Sequence, residues 1–150
     1  MSKTDATTLL ILKKALAEQK AGRVESAESL YKRVLAAEPD NADAHHLLGL
    51  CALSRGSLST ALAYMSRAIA LKPEVPAFHN NLANVLMSAG GVVQARLCFE
   101  YALSLDPDNY EALLNLGNAW QALNRLDEGL LCYRQALTTY PSYTKPREDF

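Results

Sequence analysis

The chain has 150 residues, 49% of them hydrophobic, with 15 Lys and Arg against 16 Asp and Glu. That is enough apolar material for a core and excludes disorder by composition. A net charge of −1 offers no basic footprint for nucleic acid and no polybasic signal for anionic membranes, so neither is expected as a partner.

Residues 1–7 read as a polar tail. The apolar run Leu9 to Leu12 is then broken by Lys13 and Lys14. It is too short for a signal-peptide core or a membrane span. Cys51, Cys98 and Cys132 form no CxxC motif and no paired framework, which points to a reduced, cytoplasmic setting. From there the chain predicts helices in pairs. The first pair breaks near Gly22 and stops before Pro39. The second breaks near Gly56 and stops before Pro73. The third breaks near Gly90 and stops before Pro107, the fourth near Asn124 and before Pro141. A residue able to turn left-handed closes each first helix. Each second helix ends where the coming proline pushes its neighbour out of the helical region.

Each of these prolines lies 34 residues beyond the previous one. A fixed period of that size is the mark of a stacked repeat. Other positions keep it. Small residues recur at Ala15, Gly49, Ala83 and Gly117, and again at Ala27, Ala61, Ala95 and Gly129. A large series follows four residues later at Tyr31, Met65, Phe99 and Tyr133, and a small one at Val34, Ala68, Ala102 and Ala136. Two antiparallel helices approach closely only where neither carries bulk. The large side chain then fills the space beside the small one.

Small at the eighth place, Ala or Gly at the twentieth, large at the twenty-fourth, small at the twenty-seventh and proline at the thirty-second resembles the tetratricopeptide repeat. "AHHLLGLCALSRGSLSTALAYMSRAIALKP", "AFHNNLANVLMSAGGVVQARLCFEYALSLDP" and "ALLNLGNAWQALNRLDEGLLCYRQALTTYP" carry the pattern. The resemblance implies an all-α fold, a right-handed superhelical solenoid of four repeats and eight helices. The repeats are 8–41, 42–75, 76–109 and 110–143, with 144–150 a tail or the start of a truncated capping helix. The first repeat departs most, with Lys14 and Glu18 in apolar places. These two are expected to pair across a face that meets water. At the other end the outer face of the last helix, around Leu130, Tyr133 and Leu137, is expected to lack a cover. Homo-oligomerisation or partner docking through that helix is the expectation.

In the family's geometry the first helices line a concave groove. The resemblance implies that the second, fifth, sixth, ninth and twelfth places of each repeat face it. These are Leu9, Leu12, Lys13, Leu16 and Gln19, then Asp43, His46, Leu47, Leu50 and Leu53. Ala77, Asn80, Asn81, Asn84 and Met87 follow, then Glu111, Leu114, Asn115, Asn118 and Gln121. Leucines dominate the first half and amides the second. Repeated amides suit an extended peptide, because each donates to and accepts from a backbone. The candidate peptide-binding residues are therefore His46, Leu50, Leu53, Asn80, Asn81, Asn84, Met87, Asn115, Asn118 and Gln121. Some family members clamp the C-terminal carboxylate of heat-shock chaperones with basic residues. Here Glu111 stands where a lysine is expected, and the groove places of repeats three and four hold no Lys or Arg, so that partner is not expected. "HNNLAN" and "LLNLGNAW" resemble the arrays ahead of O-linked N-acetylglucosamine transferases and related bacterial proteins, in which groove asparagines hold the acceptor polypeptide.

Catalytic chemistry has no comparable signal. His45 and His46 are adjacent and diverge by about 100° on a helix, so they do not share a metal. His45 and His79 hold the same repeat place, which is a packing place. Cys98 and Cys132 are also equivalent, on neighbouring helices ~8–10 Å apart, too far for a favoured disulfide. No Ser-His-Asp order, phosphate-binding loop or paired carboxylates stand out. The expectation is a protein–protein interaction module that binds an extended peptide or partner helix, without enzyme activity, metal or cofactor. The alternatives are the substrate-recruiting part of a larger protein-modifying enzyme and a self-assembling scaffold.

Overall fold

The computed structural model of the chain describes residues 3–139. Eight α-helices and no strands are found among them: α1 Lys3–Lys20, α2 Val24–Ala37, α3 Ala42–Ser54, α4 Leu58–Leu71, α5 Pro76–Ser88, α6 Val92–Leu105, α7 Tyr110–Ala122 and α8 Leu126–Thr139. They form two compact units, α1 to α4 up to Pro73 and α5 to α8 from Glu74. In each unit the helices pack as two consecutive hairpins, joined by the second helix of one hairpin meeting the first of the next. No described helix is long and apolar enough to cross a membrane.

The turns fall where the sequence places them. Gly22, Gly56, Gly90 and Asn124 have φ of +82°, +77°, +86° and +61°. Each closes its first helix with the same pair of bonds. Arg23 N–H donates to Glu18 C=O at 2.9 Å and Gly22 N–H to Gln19 C=O at 3.0 Å; Arg125 to Trp120 and Asn124 to Gln121 repeat this at 2.8 and 3.0 Å. This is the Schellman arrangement, which satisfies the last carbonyls of a helix by turning one residue left-handed. The second helices stop alike. Glu38, Lys72 and Asp106, each ahead of a proline, have φ between −133° and −142°. Proline's ring excludes the helical region for its predecessor. Pro141 and the 144–150 segment lie outside the described residues. So does the start of the polar tail, but the rest of it is not separate: α1 begins at Lys3, because neither Pro nor Gly interrupts the chain before Gly22.

Starts differ between repeats. Asn41 and Asn109 cap α3 and α7, each side chain accepting from the backbone N–H three residues on at 3.0 Å. The equivalent Val75 has no side-chain acceptor, and α5 instead begins with Pro76 at its first turn. Proline needs no partner for a missing N–H, so it removes the orphan donor that a cap would satisfy.

Each unit has its own core. In the first, Ala15, Ala27, Leu30, Tyr31, Leu48 and Cys51 cluster. In the second, Ala83, Ala95, Phe99, Leu116, Ala119 and Cys132 do. The small-against-large rule is visible at atomic scale. A Cβ on Gly49 would stand 2.6 Å from Met65 Cγ, and one on Gly117 2.6 Å from Tyr133 Cε1. Those glycines exist because a side chain already occupies the space. Phe78 and Val85 of α5 are also buried, a contribution that the repeat ruler does not single out. The expected Lys14–Glu18 pair gives way to another: the Glu18 carboxylate accepts from the Arg23 guanidinium, which the tight Gly22 turn carries back over α1.

Candidate peptide-binding surface

The amide-bearing faces come together in the second unit, where α5 and α7 lie side by side. Asn115 Nδ2 on α7 reaches Asn80 Oδ1 on α5 at 3.5 Å. That contact sets the register, with the fifth place of α5 opposite the sixth of α7. Asn81, Asn84 and Met87 follow along α5 at helical spacing, and Asn115, Asn118 and Gln121 along α7. All six are half-buried or exposed.

Two candidates are not on the surface. Asn80 is 4% exposed and His46 8%. Both hold the fifth place of their repeats, so that place belongs to packing, not to an open groove. Asn80 helps to hold Asn115 and offers little to a ligand. The lining of the first unit also differs from an open apolar stripe. Leu12 and Leu47 pack onto the core cluster. Leu16, Leu50 and Leu53 are half-buried, and Leu9 alone of these leucines is exposed.

Tyr133 was expected on the uncovered outer face and lies elsewhere. Its ring packs against Gly117, and its hydroxyl donates to Asn118 Oδ1 at 2.5 Å while lying 3.3 Å from Gln121 Oε1. With its carbonyl so engaged, Asn118 turns its NH₂ group away from Tyr133. The first repeat does the same: Tyr31 donates to Gln19 Oε1 at 2.6 Å. A signal for this was in the sequence. Where the twenty-fourth place is Tyr, the twelfth is Gln; where it is Met or Phe, the twelfth is Leu53 or Met87.

The histidines are packing residues of different kinds. The His45 ring meets the Pro39 carbonyl through Nε2 at 2.8 Å and faces Tyr64. The His79 ring packs on Tyr101 at 4.5 Å between centroids. Burial holds the His46 pKa below the usual imidazole value, against a smaller opposite pull from Asp43. The unfolded chain binds a proton near pH 6.5 that folded His46 resists. His46 therefore contributes stability fully above about pH 6.5, lost as pH falls towards the lowered folded pKa. Urea unfolding at pH 7.5 and pH 5 is expected to show this loss, and His46→Gln to reduce it. An unchanged slope would count against the burial.

The remaining chemistry is quiet. Burial raises all three thiols, Cys51 to about 11, and all are free. Such thiols react slowly at neutral pH. Among the described residues no three His, Cys, Asp or Glu side chains gather as a metal site. The side of α7 away from the amides holds Trp120, with the Arg96 guanidinium 4.8 Å and the Arg125 guanidinium 5.7 Å from its ring centroid.

Several solved structures share this fold. An O-GlcNAc transferase mutant from Thermobaculum terrenum aligns at a TM-score of 0.77 and 36% identity, over 80% of this chain and 23% of that one. The chain thus spans under a quarter of that transferase. PilF from Pseudomonas aeruginosa aligns at 0.88 and 18% identity, over 93% of this chain and 64% of that one. The first tetratricopeptide domain of Spaghetti (RPAP3), solved with the HSP90 peptide SRMEEVD, aligns at 0.74 and 21% identity, over 78% and 93%. Comparison with curated proteins finds no match. The family model for the tetratricopeptide repeat matches residues 12–76 and 80–144, and the chain belongs to that family.

Proposed function

We propose that the chain is a protein–protein interaction module whose second unit holds an extended polypeptide along the amide-bearing faces of α5 and α7. The carrying observation is the amide array: Asn115 tied to Asn80 and Asn118 tied to Tyr133, with Asn81 and Asn84 at helical spacing along α5. Amides held in place donate to and accept from a peptide backbone with little side-chain preference. The peptide-bound Spaghetti domain supports peptide capture by this fold. An acidic C-terminal tail is a poor fit here, because the only charged groove place in the second unit is Glu111.

The likeness to the transferase favours one refinement of this reading. The chain would serve as the substrate-recruiting region of a larger protein-modifying enzyme, contributing grip and no catalytic group. Asn81→Ala with Asn115→Ala is expected to weaken capture of extended peptides at least about tenfold. Helical content is expected to stay close to wild type and melting to fall only modestly, because Asn115→Ala takes a donor from the buried Asn80 carbonyl. Capture is also expected to change little from 50 to 500 mM salt, unlike a charge clamp. Peptide capture that survives the double substitution would sink the amide reading.

A further inference from the structure

The two units fill the same repeat place differently. In the second, the Trp120 indole packs on the core cluster, and the Arg96 guanidinium of α6 covers its ring at 4.8 Å. Arg125, ahead of α8, lies 5.7 Å from the same ring. Both guanidiniums are ion-paired, Arg96 to Glu100 and Arg125 to Glu128. Two repeats earlier, in the first unit, the place of Trp120 holds Ala52. There a cleft of about 150 Å³ opens between α2, α3 and α4. The repeat does not demand a small residue at this place, since Leu86 occupies it in repeat three.

The cleft keeps the frame of the filled site. Leu48 lines it beside Ala52, as the counterpart of Leu116. Glu28 of α2 stands at the place of Arg96, and Thr60 and Tyr64 of α4 at those of Glu128 and Cys132. A guanidinium is again present, now from Arg55, which pairs with the Glu28 carboxylate at 2.7 Å.

We infer that this cleft is a subsite for one aromatic side chain of a partner polypeptide, a tryptophan-like ring that enters from outside where Trp120 is supplied by the chain itself. Size, charge and polarity carry the assignment. A cavity of roughly 150 Å³ holds a benzene ring. The Arg55 guanidinium offers the face of a ring what Arg96 offers Trp120. Its charge is balanced by Glu28, which favours a neutral ring over a carboxylate or an ammonium group. The Thr60 and Tyr64 hydroxyls give an indole N–H acceptors within the lining. Neither α5 nor α7 contributes, so the subsite does not depend on the amide faces. A single ring is one contact, and the isolated side chain accordingly binds in the millimolar range.

Titration of the full chain with N-acetyl-tryptophanamide, followed by backbone amide chemical shifts, tests this. Saturable shifts are expected at Leu48, Ala52, Arg55 and Thr60. N-acetyl-leucinamide is expected to bind several-fold more weakly. Ala52→Trp is expected to fill the cleft from within and abolish the shifts. Ala52→Leu, which copies Leu86, is expected to abolish them with a smaller change in packing, and decides the matter where the larger variant fails to fold by far-UV circular dichroism. Absence of saturable shifts in the wild type overturns the inference. So do shifts that survive in a folded Ala52 variant, or equal binding of the leucine compound. Shifts confined to α5 and α7 assign the ring to the amide faces and overturn it as well.

Discussion

Phe99→Ala is expected to destabilise the second unit by about 3–5 kcal/mol, the range for emptying a buried aromatic site. Phe99 has no exposed surface and shares one cluster with Ala83, Ala95, Leu116, Ala119 and Cys132. Its neighbours are small or fixed on helix backbones, so they have little freedom to collapse into the space. The protein's single tryptophan, Trp120, packs against the same cluster, so its fluorescence reports the loss directly. For a chain of this size the melting temperature is expected to fall by roughly 10 °C. A tryptophan transition within about 2 °C of wild type would refute this account of the core.

Ala95→Leu is expected to cost about 2–3 kcal/mol or more by the opposite route, overpacking. Ala27, Ala61 and Ala95 hold one repeat place and are all fully buried. The fourth member, Gly129, shows why: a Cβ there would stand 3.1 Å from the Gly117 carbonyl oxygen. At this place the second helix rests on the backbone of the first. A larger side chain can be accommodated only by separating α5 from α6. Leu97→Ala on the exposed face of the same helix provides the contrast, with a change within about 0.5 kcal/mol. Equal losses in the two variants would show that position twenty of the repeat carries no special constraint.

These two substitutions mark what is legible without a structure. The spacing of Pro39, Pro73, Pro107 and Pro141 sets the repeat, and the left-handed φ values at Gly22, Gly56, Gly90 and Asn124 lie where that spacing demands. Local chemistry dictates such features, since a proline or a left-handed turn acts on its immediate neighbours. The small and large series are equally legible, because their meaning is fixed by one helix pair.

The candidate surface was only partly legible. Asn80 and Asn81 are adjacent and alike in sequence, yet Asn80 is buried while Asn81 is not. Periodicity gives a residue's direction on its helix to within a face, and the seam between α5 and α7 is narrower than a face. Tyr133 leaves the outer face because its partners, Asn118 and Gln121, belong to another helix. Helical spacing pairs Glu18 with Lys14, whereas the turn at Gly22 brings Arg23 to it.

The sequence alone determined the number, length and pairing of the repeats, because those rest on interactions within about one 34-residue unit. It also determined that polar amides, not charges, occupy the first-helix faces of α5 and α7. Only the tertiary structure decided which amides are buried in packing and which stay at the surface. It likewise decided that Val93, Leu97 and Tyr101 of α6 stay exposed when their neighbours are in place. Both decisions depend on which helices become neighbours, and a hydrophobic or hydrogen-bonding side chain reads the same in sequence whether its neighbour is protein or solvent.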